Sequence, residues 1–148
     1  MPLDLQQISD RIEIEELLVR YSRALDHREF DTLETLFTED AVFDAGSLGC
    51  PTGAGEIRAM VEGTLTGLDA TQHLVGKSLI EIDGDTAEVR TYLISQHIRE
   101  ATPGPVKHYF VGGEYADRLV RTPEGWKIAY RRLDRMWKHG DRAVIAAR

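Results

Sequence analysis

Cysteine is almost absent from this sequence: among 148 residues, Cys50 is the only one. A single cysteine excludes an intrachain disulfide and a zinc site built from several thiolates. Apolar runs are short as well, and none approaches the roughly 20 residues that a membrane-spanning helix needs. The first residues also lack the basic and apolar regions of a secretory signal peptide. We therefore expect a cytoplasmic protein with no membrane partner.

Positive charge is also in short supply. The chain has 18 Lys and Arg residues against 25 Asp and Glu residues, which gives a formal net charge of −7. The two signs are interspersed along the chain. Three clustered arginines, Arg131, Arg132 and Arg135, are too few for the basic stripe that sequence-independent nucleic-acid binding requires. We expect no nucleic-acid partner.

The motifs that mark common catalytic sites are missing too. There is no G-x-S-x-G sequence, and Cys50 lies in a Gly/Pro-rich loop without a partner pattern. No glycine-rich loop resembles a phosphate-binding fingerprint. His73, His97 and His108 lack the spacing of metal ligands on one helix or strand. We therefore expect no metal and no organic cofactor, which leaves acid–base chemistry by side chains.

The length and composition indicate one globular domain over residues 1–148, since 42% of the residues are hydrophobic and 29% are charged. Apolar residues at helical spacing predict a long helix over residues 5–25. A second, short helix is predicted to begin at Asp31 and to include Phe37. A short strand over residues 41–44 and a third helix over residues 55–65 follow.

The second half of the chain changes to the alternating pattern of β-strands. Four strands are predicted, over residues 72–83, 86–99, 106–121 and 126–137. Gly112 and Gly113 permit a bulge or sharp bend within the third of them. The tail from Lys138 onward is polar and then Ala-rich, and it is predicted to fray or to pack against a neighbour. Helices followed by antiparallel strands indicate an α+β fold in which helices cover one face of a curved sheet.

Asp26 stands where the long helix is predicted to end. A carboxylate at the negative end of a helix dipole is disfavoured by roughly 0.3–1 kcal/mol at an exposed site, so another force is needed to hold it there. We predict that this force is His73, at the start of a later strand. The plain alternative is a surface Asp in a turn between helices, where Asp is common.

An Asp–His pair has a defined chemical use. Histidine has an unperturbed pKa near 6.5 and can act as a base at neutral pH. A carboxylate on its second ring nitrogen fixes the tautomer and stabilises the imidazolium. Tyr21 lies near Asp26 on the helix end and could donate a proton, while an arginine such as Arg135 could bind developing negative charge. Each residue also has a plain interpretation: a strand-end histidine, a core aromatic and a surface ion-pair partner.

The order of elements and four local sequences resemble the SnoaL-like branch of the nuclear transport factor 2-like superfamily. The local sequences are IEELLVRYSRALD at 14–26, FDTLETLFTEDAVF at 30–43, QHLVG at 72–76 and GWKI at 125–128. The resemblance covers residues 8–137. Within the superfamily, the motifs are most similar to those of scytalone dehydratase, bile acid 7α-dehydratase and hexachlorocyclohexane dehydrochlorinase, which carry out eliminations with an Asp–His pair.

This resemblance implies a cone-shaped α+β barrel, a strongly curved sheet wrapped around a pocket that the helices close. It implies catalytic roles for Tyr21, Asp26, His73 and Arg135. The bile acid enzyme has a second Asp where this chain has Ser95 or Gln96, so one acid of that site is missing here. The predicted pocket lining is Phe43, Met60, Leu65, His97, Tyr109 and Phe110, with Tyr21. The resemblance also implies a homo-oligomer, either a trimer or a dimer.

The leading functional hypothesis is a cofactor-independent lyase or isomerase that uses no metal and acts on a small hydrophobic molecule, a class that includes polycyclic compounds. A second hypothesis is a small-molecule-binding protein of the same fold that carries out no reaction. A third is a structural protein similar to the small subunit of ring-hydroxylating dioxygenases. Asp26 and His73 within hydrogen-bond distance in a pocket would favour the first.

Overall fold

The computed structural model describes residues 2–146, and its first half is mainly helical. Helix α1 spans Leu5–Asp26, α2 spans Phe30–Thr35 and α3 spans Ala54–Leu65. Asp4 and Gln7 form a capping box at the start of α1, where the Gln7 backbone N–H donates to Asp4 Oδ1 at 2.8 Å. Helix α1 therefore has a fixed beginning, and its far end delivers Asp26 to the sheet.

Six strands form one mixed sheet. They are β1 Phe37–Asp44, β2 Ala70–Val75, β3 Leu79–Asp83, β4 Thr86–Ile98, β5 His108–Thr122 and β6 Gly125–Gly140. The strand order is β1-β6-β5-β4-β2, and β3 also pairs with β4. Strand β1 runs parallel to β6, while the other pairs are antiparallel. The α+β class predicted from the sequence is confirmed.

The alternation of side chains along β2 and β4 decides what faces the interior. Strand β2 pairs with the second half of β4, and His73 lies directly opposite Ser95. Leu93, Ser95 and His97 are buried, whereas the intervening Tyr92 and Ile94 are exposed. Both strands therefore turn their histidines towards the side of the sheet that the helices cover.

Two predicted boundaries are wrong. Phe37 belongs to β1 and not to α2, because it pairs with Ile128 on β6 and its side chain is 2% exposed in the core. The predicted strand over 72–83 is two strands, β2 and β3, separated at residues 76–78. The chain changes course there because Gly76 N–H donates to the Tyr92 carbonyl at 2.8 Å, after which β3 pairs with the first half of β4.

The predicted fraying of the tail is wrong for the part of it that the structure describes. Strand β6 continues to Gly140, and a single 3₁₀ turn, Arg142–Val144, follows it. The Asp141 carboxylate accepts the Ala143 backbone N–H at 2.9 Å, which stabilises the start of this turn. Val144 and Ile145 are buried because the turn folds back over the core. Residues 147 and 148 of the predicted tail lie outside the described residues.

The glycine pair in β5 lies at an irregularity of the sheet. The register between β5 and β6 shifts between Gly112 and Gly113. A side chain at Gly112 would clash with the Trp137 ring, and one at Gly113 would clash with the Asp134 carbonyl oxygen. Only glycine permits this close approach of β6, in agreement with the bulge predicted from the sequence.

Candidate active site

Asp26 and His73 form a hydrogen-bonded pair between the end of α1 and the middle of β2. His73 Nδ1 lies 2.7 Å from Asp26 Oδ1, and the His73 backbone N–H donates to Asp26 Oδ2 at 2.9 Å. Thr71 Oγ1 donates to Asp26 Oδ1 at 3.3 Å. These donors offset the unfavourable position of a carboxylate at a helix C-terminus. The predicted partner of Asp26, His73, thus contacts it through both its ring and its backbone.

The pair fixes the tautomer of His73. A carboxylate only accepts hydrogen bonds when ionised, so Nδ1 carries the proton and Nε2 keeps its lone pair. Burial alone would raise the pKa of Asp26, but the hydrogen bonds from the His73 ring and backbone lower it below its usual value. Asp26 is therefore ionised at neutral pH, and His73 can take up a proton at Nε2.

Arg28 supports the pair from the turn after α1. Its Nη1 atom donates to Thr71 Oγ1 and to the Leu25 carbonyl, both at 2.7 Å. Arg28 has a φ of 59°, in the left-handed region that residues other than glycine rarely adopt. Sequence analysis missed this residue, because the contact depends on a backbone conformation that no local pattern indicates.

His73 lines a cavity that opens to solvent, and the empty space of the cavity and its solvent-filled mouth together is about 590 Å³. Of the predicted residues, Tyr21, Phe43, Met60, Leu65, His97 and Arg135 line this cavity together with His73. Most of the remaining wall is apolar, including Leu25, Val61, Leu93, Val111, Leu133 and Ile145. The polar groups of the wall are few, as in sites that bind small organic molecules.

Two predicted lining residues do not line the cavity. Phe110 points away from it and contacts the His108 ring at a centroid distance of 4.6 Å, because alternation along β5 turns Val111 inward and Phe110 outward. Tyr109 shares the inward face with Val111 but lies behind His97, 2% exposed. Tyr109 contributes to the site through its carbonyl oxygen, which lies 2.9 Å from His97 Nδ1.

His97 is a second histidine in the cavity wall, and its ring is perpendicular to that of His73 at a centroid distance of 5.7 Å. Because the Tyr109 carbonyl can only accept, His97 Nδ1 carries a proton and Nε2 is an acceptor. Burial, and then the neighbouring His73, lower the pKa of His97 to about 4. His97 is thus neutral at physiological pH and can accept a hydrogen bond from a ligand.

Ser95 and Gln96 are the two residues that the sequence predicts as alternatives for the position of the missing acid. Ser95 is buried, faces His73 across the strand pair and lines the cavity. Gln96 points to the opposite, exposed side of β4. The cavity wall therefore has the Ser95 hydroxyl near His73 and His97. This hydroxyl can donate or accept a hydrogen bond but does not supply a charge.

Tyr21 is held by a buried ion pair that the sequence analysis did not predict. Arg131 donates to both carboxylate oxygens of Asp117 at 2.8 Å, and its guanidinium lies 4.2 Å from the Tyr21 ring and 3.8 Å from the Tyr115 ring. Burial raises the pKa of Tyr21, while the charge of Arg131 opposes that rise. Tyr21 therefore stays protonated and can serve as a hydrogen-bond donor.

Arg135 lies at the other side of the cavity. Its Nη1 atom is 3.4 Å from Ser47 Oγ, in the 3₁₀ turn Gly46–Leu48, and its buried Nε has no hydrogen-bond partner.

Among residues 2–146, no three His, Cys, Asp or Glu side chains lie together in a way that could hold a metal ion. In the same range, no helix has both the length and the apolar character that a membrane crossing needs.

The chain matches the SnoaL-like domain family over residues 6–132. It belongs to the SnoaL-like domain family. It is 38% identical over 130 residues to the uncharacterized protein Rv2910c of Mycobacterium tuberculosis, a match that covers 87% of both chains. The resemblance to the SnoaL-like family that the sequence motifs indicated is thereby confirmed.

Solved structures of related fold cover nearly the whole chain. A candidate scytalone dehydratase from Novosphingobium aromaticivorans superposes with a TM-score of 0.82 at 24% identity, covering 95% of this chain and 91% of that one. The hexachlorocyclohexane dehydrochlorinase LinA-type3 from Novosphingobium barchaimii gives a TM-score of 0.82 at 14% identity, covering 99% of both. At these identities the likeness concerns the fold, and the cone-shaped architecture is that of this SnoaL-like protein as well.

Proposed function

We propose that this SnoaL-like protein is a lyase or isomerase that acts on a small hydrophobic molecule through the Asp26–His73 pair. The observation that carries this proposal is the 2.7 Å contact between His73 Nδ1 and Asp26 Oδ1 in the wall of an apolar cavity. A titratable base with an ionised partner, facing an apolar space, is the arrangement that proton abstraction from carbon requires.

The reaction begins when His73 Nε2 takes a proton from a carbon next to an electron-withdrawing group. The electron pair of that C–H bond forms a double bond to the neighbouring carbon, whose leaving group departs with its own bonding electrons. Asp26 stabilises the imidazolium that results. In an isomerisation, the same imidazolium returns the proton to a different carbon of the enolate.

Tyr21 and Arg135 have complementary roles in this proposal. Tyr21 keeps its proton because burial raises its pKa, so its hydroxyl can donate to a departing oxygen or to an enolate oxygen. Arg135 carries a permanent charge in the cavity wall and stabilises negative charge on the substrate. The names of the two structural neighbours, a dehydratase and a dehydrochlorinase, support an elimination.

Two other functions stay open. A protein that only binds small molecules would use the same apolar cavity. A structural role similar to that of a dioxygenase small subunit would need no charged pair at the cavity wall. The Asp26–His73 contact favours an enzyme over both, because each alternative leaves the orientation of His73 without a purpose.

The test is a screen of cyclic β-hydroxy ketones and β-halo compounds, followed by NMR in D₂O for loss of the leaving group and for deuterium incorporation. The wild-type protein is compared with His73→Ala, which removes the base but leaves the rest of the cavity. We expect the variant to bind a converted compound but not to turn it over. Equal turnover by both proteins would refute the proposed role of His73.

We also propose a homo-oligomer, as the sequence resemblance implies. The outer face of the sheet exposes apolar side chains on β2, β4 and β6, with Leu74 at 65%, Tyr92 at 64% and Trp137 at 47% of their full exposure. Contact with a second copy would cover such a face. Light scattering during size-exclusion chromatography measures the mass directly, and a monomer at micromolar concentration would contradict the proposal.

A further inference from the structure

Two arginines converge on one hydroxyl at the edge of the cavity. Arg135 Nη1 lies 3.4 Å from Ser47 Oγ, and Arg142 Nη2 lies 3.2 Å from the same oxygen. Arg135 comes from β6, Ser47 from the 3₁₀ turn Gly46–Leu48, and Arg142 from the 3₁₀ turn after β6. The two arginines are close in sequence, and both contact a hydroxyl that lies 88 and 95 residues before them.

Neither guanidinium forms an ion pair with an acidic side chain within residues 2–146. The acids near these segments in sequence accept other hydrogen bonds, and Asp134, beside Arg135, accepts from Arg132. Asp44 accepts the Gly46 backbone N–H at 3.1 Å, and Asp141 accepts the Ala143 N–H at 2.9 Å. In a chain with a net charge of −7, two neighbouring arginines without a carboxylate partner among residues 2–146 are a local excess of positive charge that a bound anion can neutralise.

The arginine pair is continuous with the apolar cavity. Arg135 lines the cavity, and its buried Nε has no hydrogen-bond partner. Leu48 and Ile145, next to Ser47 and close to Arg142 in sequence, also line the cavity. A ligand that reached the arginines would therefore have its apolar part against Leu48 and Ile145. An unpartnered, buried donor on a charged group is costly, and a ligand anion would satisfy it.

We infer that the natural ligand is an amphipathic carboxylic acid, with its apolar body in the cavity and its carboxylate bound by Arg135 and Arg142. A carboxylate has two acceptor oxygens that match the donors of guanidinium groups, and Ser47 Oγ can donate a further hydrogen bond. This inference rests on the proposed function only in placing the substrate in the same cavity. It narrows the substrate class from any hydrophobic molecule to an acidic one.

The test compares two probes of the same shape, 2-naphthoate and 2-naphthamide, by isothermal titration calorimetry. We expect the wild-type protein to bind the acid about tenfold more tightly than the amide, because only the acid carries the charge that the arginines complement. Raising the salt concentration from 50 to 500 mM should reduce this preference, since screening acts on the charged probe alone.

Arg142→Gln tests whether the preference for the acid comes from the two arginines or from the overall charge of the protein. Arg142 is exposed and lies outside the core, so the variant should fold, and we expect it to lose most of the preference for the acid. Arg20→Gln is the matched control, because Arg20 is an exposed residue of α1 that does not line the cavity. It removes the same charge and should leave the preference unchanged.

Three results would overturn the inference: equal affinities for the two probes, equal effects of the two substitutions, or no binding of either probe. The measurement does not depend on turnover. A protein that prefers the acid but converts no compound would support this inference and refute the proposed lyase. A protein that converts neutral compounds without preferring the acid would refute this inference alone.

Discussion

Among the aspartates that are paired with basic side chains, Asp117 and Asp26 form pairs that differ in what they can do. Asp117 and Arg131 form a bidentate ion pair in the core, with side-chain exposures of 0% and 1%. Asp26 and His73 form a pair whose side chains are 17% and 6% exposed, and His73 lines the cavity. The first pair joins β5 to β6, and the second joins α1 to β2.

The difference between the pairs lies in the protons. Arg131 keeps its charge at any physiological pH, and both Asp117 oxygens are engaged, so this pair has no proton to exchange. His73 uses only Nδ1 in its pair, and its Nε2 can gain or lose a proton. The same type of contact therefore holds the fold in one place and prepares a base in the other.

The largest expected effect comes from Asp26→Asn. The amide can donate to His73 Nδ1, which would favour the wrong tautomer and lower the basicity of Nε2. We expect kcat for a converted substrate to fall by about 10³–10⁴-fold, as for the equivalent change in a catalytic triad. Circular dichroism should show an intact fold. A rate within threefold of wild type would mean that Asp26 does not orient a catalytic His73.

For Asp117→Asn, in contrast, we expect a loss of stability. Removing this charge leaves Arg131 buried without compensation, and breaking a buried pair in this way costs about 3–5 kcal/mol of unfolding free energy. Urea denaturation measures the loss. Asp85→Asn is the control, because the Asp85 partner of Arg121 is 81% exposed and such pairs contribute about 1 kcal/mol or less. Equal losses for the two variants would contradict the structural role given to the core pair.

The sequence predicted one of these pairs and missed the other, for physical reasons. A carboxylate at a helix C-terminus is unfavourable, so the position of Asp26 predicts a partner, and His73 at the start of a later strand is the predicted one. Asp117 and Arg131 lie opposite each other only in the register that β5 and β6 adopt. That register contains two shifts, at Gly112/Gly113 and at Arg118/Leu119, and no local pattern fixes it.

The same limit explains the errors at the cavity wall. Tyr109 and Phe110 are both predicted to line the pocket, but successive residues of a strand face opposite sides, and the helices that cover the sheet make the side of Tyr109 and Val111 the inner one. The burial of Val144 and Ile145 depends on long-range packing of the segment after β6 over the core. Local periodicity predicted the helices and most strands, whereas long-range packing decided the site.

The pKa of His97, in the cavity wall, makes the stability of the protein depend on pH. The folded pKa of His97, about 4, lies below its ordinary value of 6.5, chiefly because of burial. Between these values the unfolded chain binds a proton that the folded chain does not, so stability falls as the pH is lowered from about 6.5 to 4. We expect this residue to account for on the order of 2–3 kcal/mol of that fall.

The variant His97→Asn tests this effect, because its amide can replace the donor to the Tyr109 carbonyl and does not titrate. Urea denaturation at pH 7 and pH 4 gives the stabilities of both proteins. The fall between the two pH values should be smaller in the variant. An identical fall in both proteins would mean that His97 has the same pKa in the folded and unfolded states.

The smallest effect is expected for Thr71→Val, which removes one donor from Asp26 and keeps the shape of the side chain. Thr71 Oγ1 donates to Asp26 Oδ1 at 3.3 Å, and a hydrogen bond to a charged group contributes about 1.5–3 kcal/mol at best geometry. Because this bond is long and two donors from His73 remain, we expect a loss of about 1 kcal/mol, or roughly fivefold in kcat. Thr38→Val is the matched control, since Thr38 Oγ1 donates to Asp40 at 3.0 Å on an exposed surface. If both substitutions leave the rate unchanged, the two donors from His73 are sufficient to hold Asp26, and the support from Thr71 and Arg28 serves the turn after α1 alone.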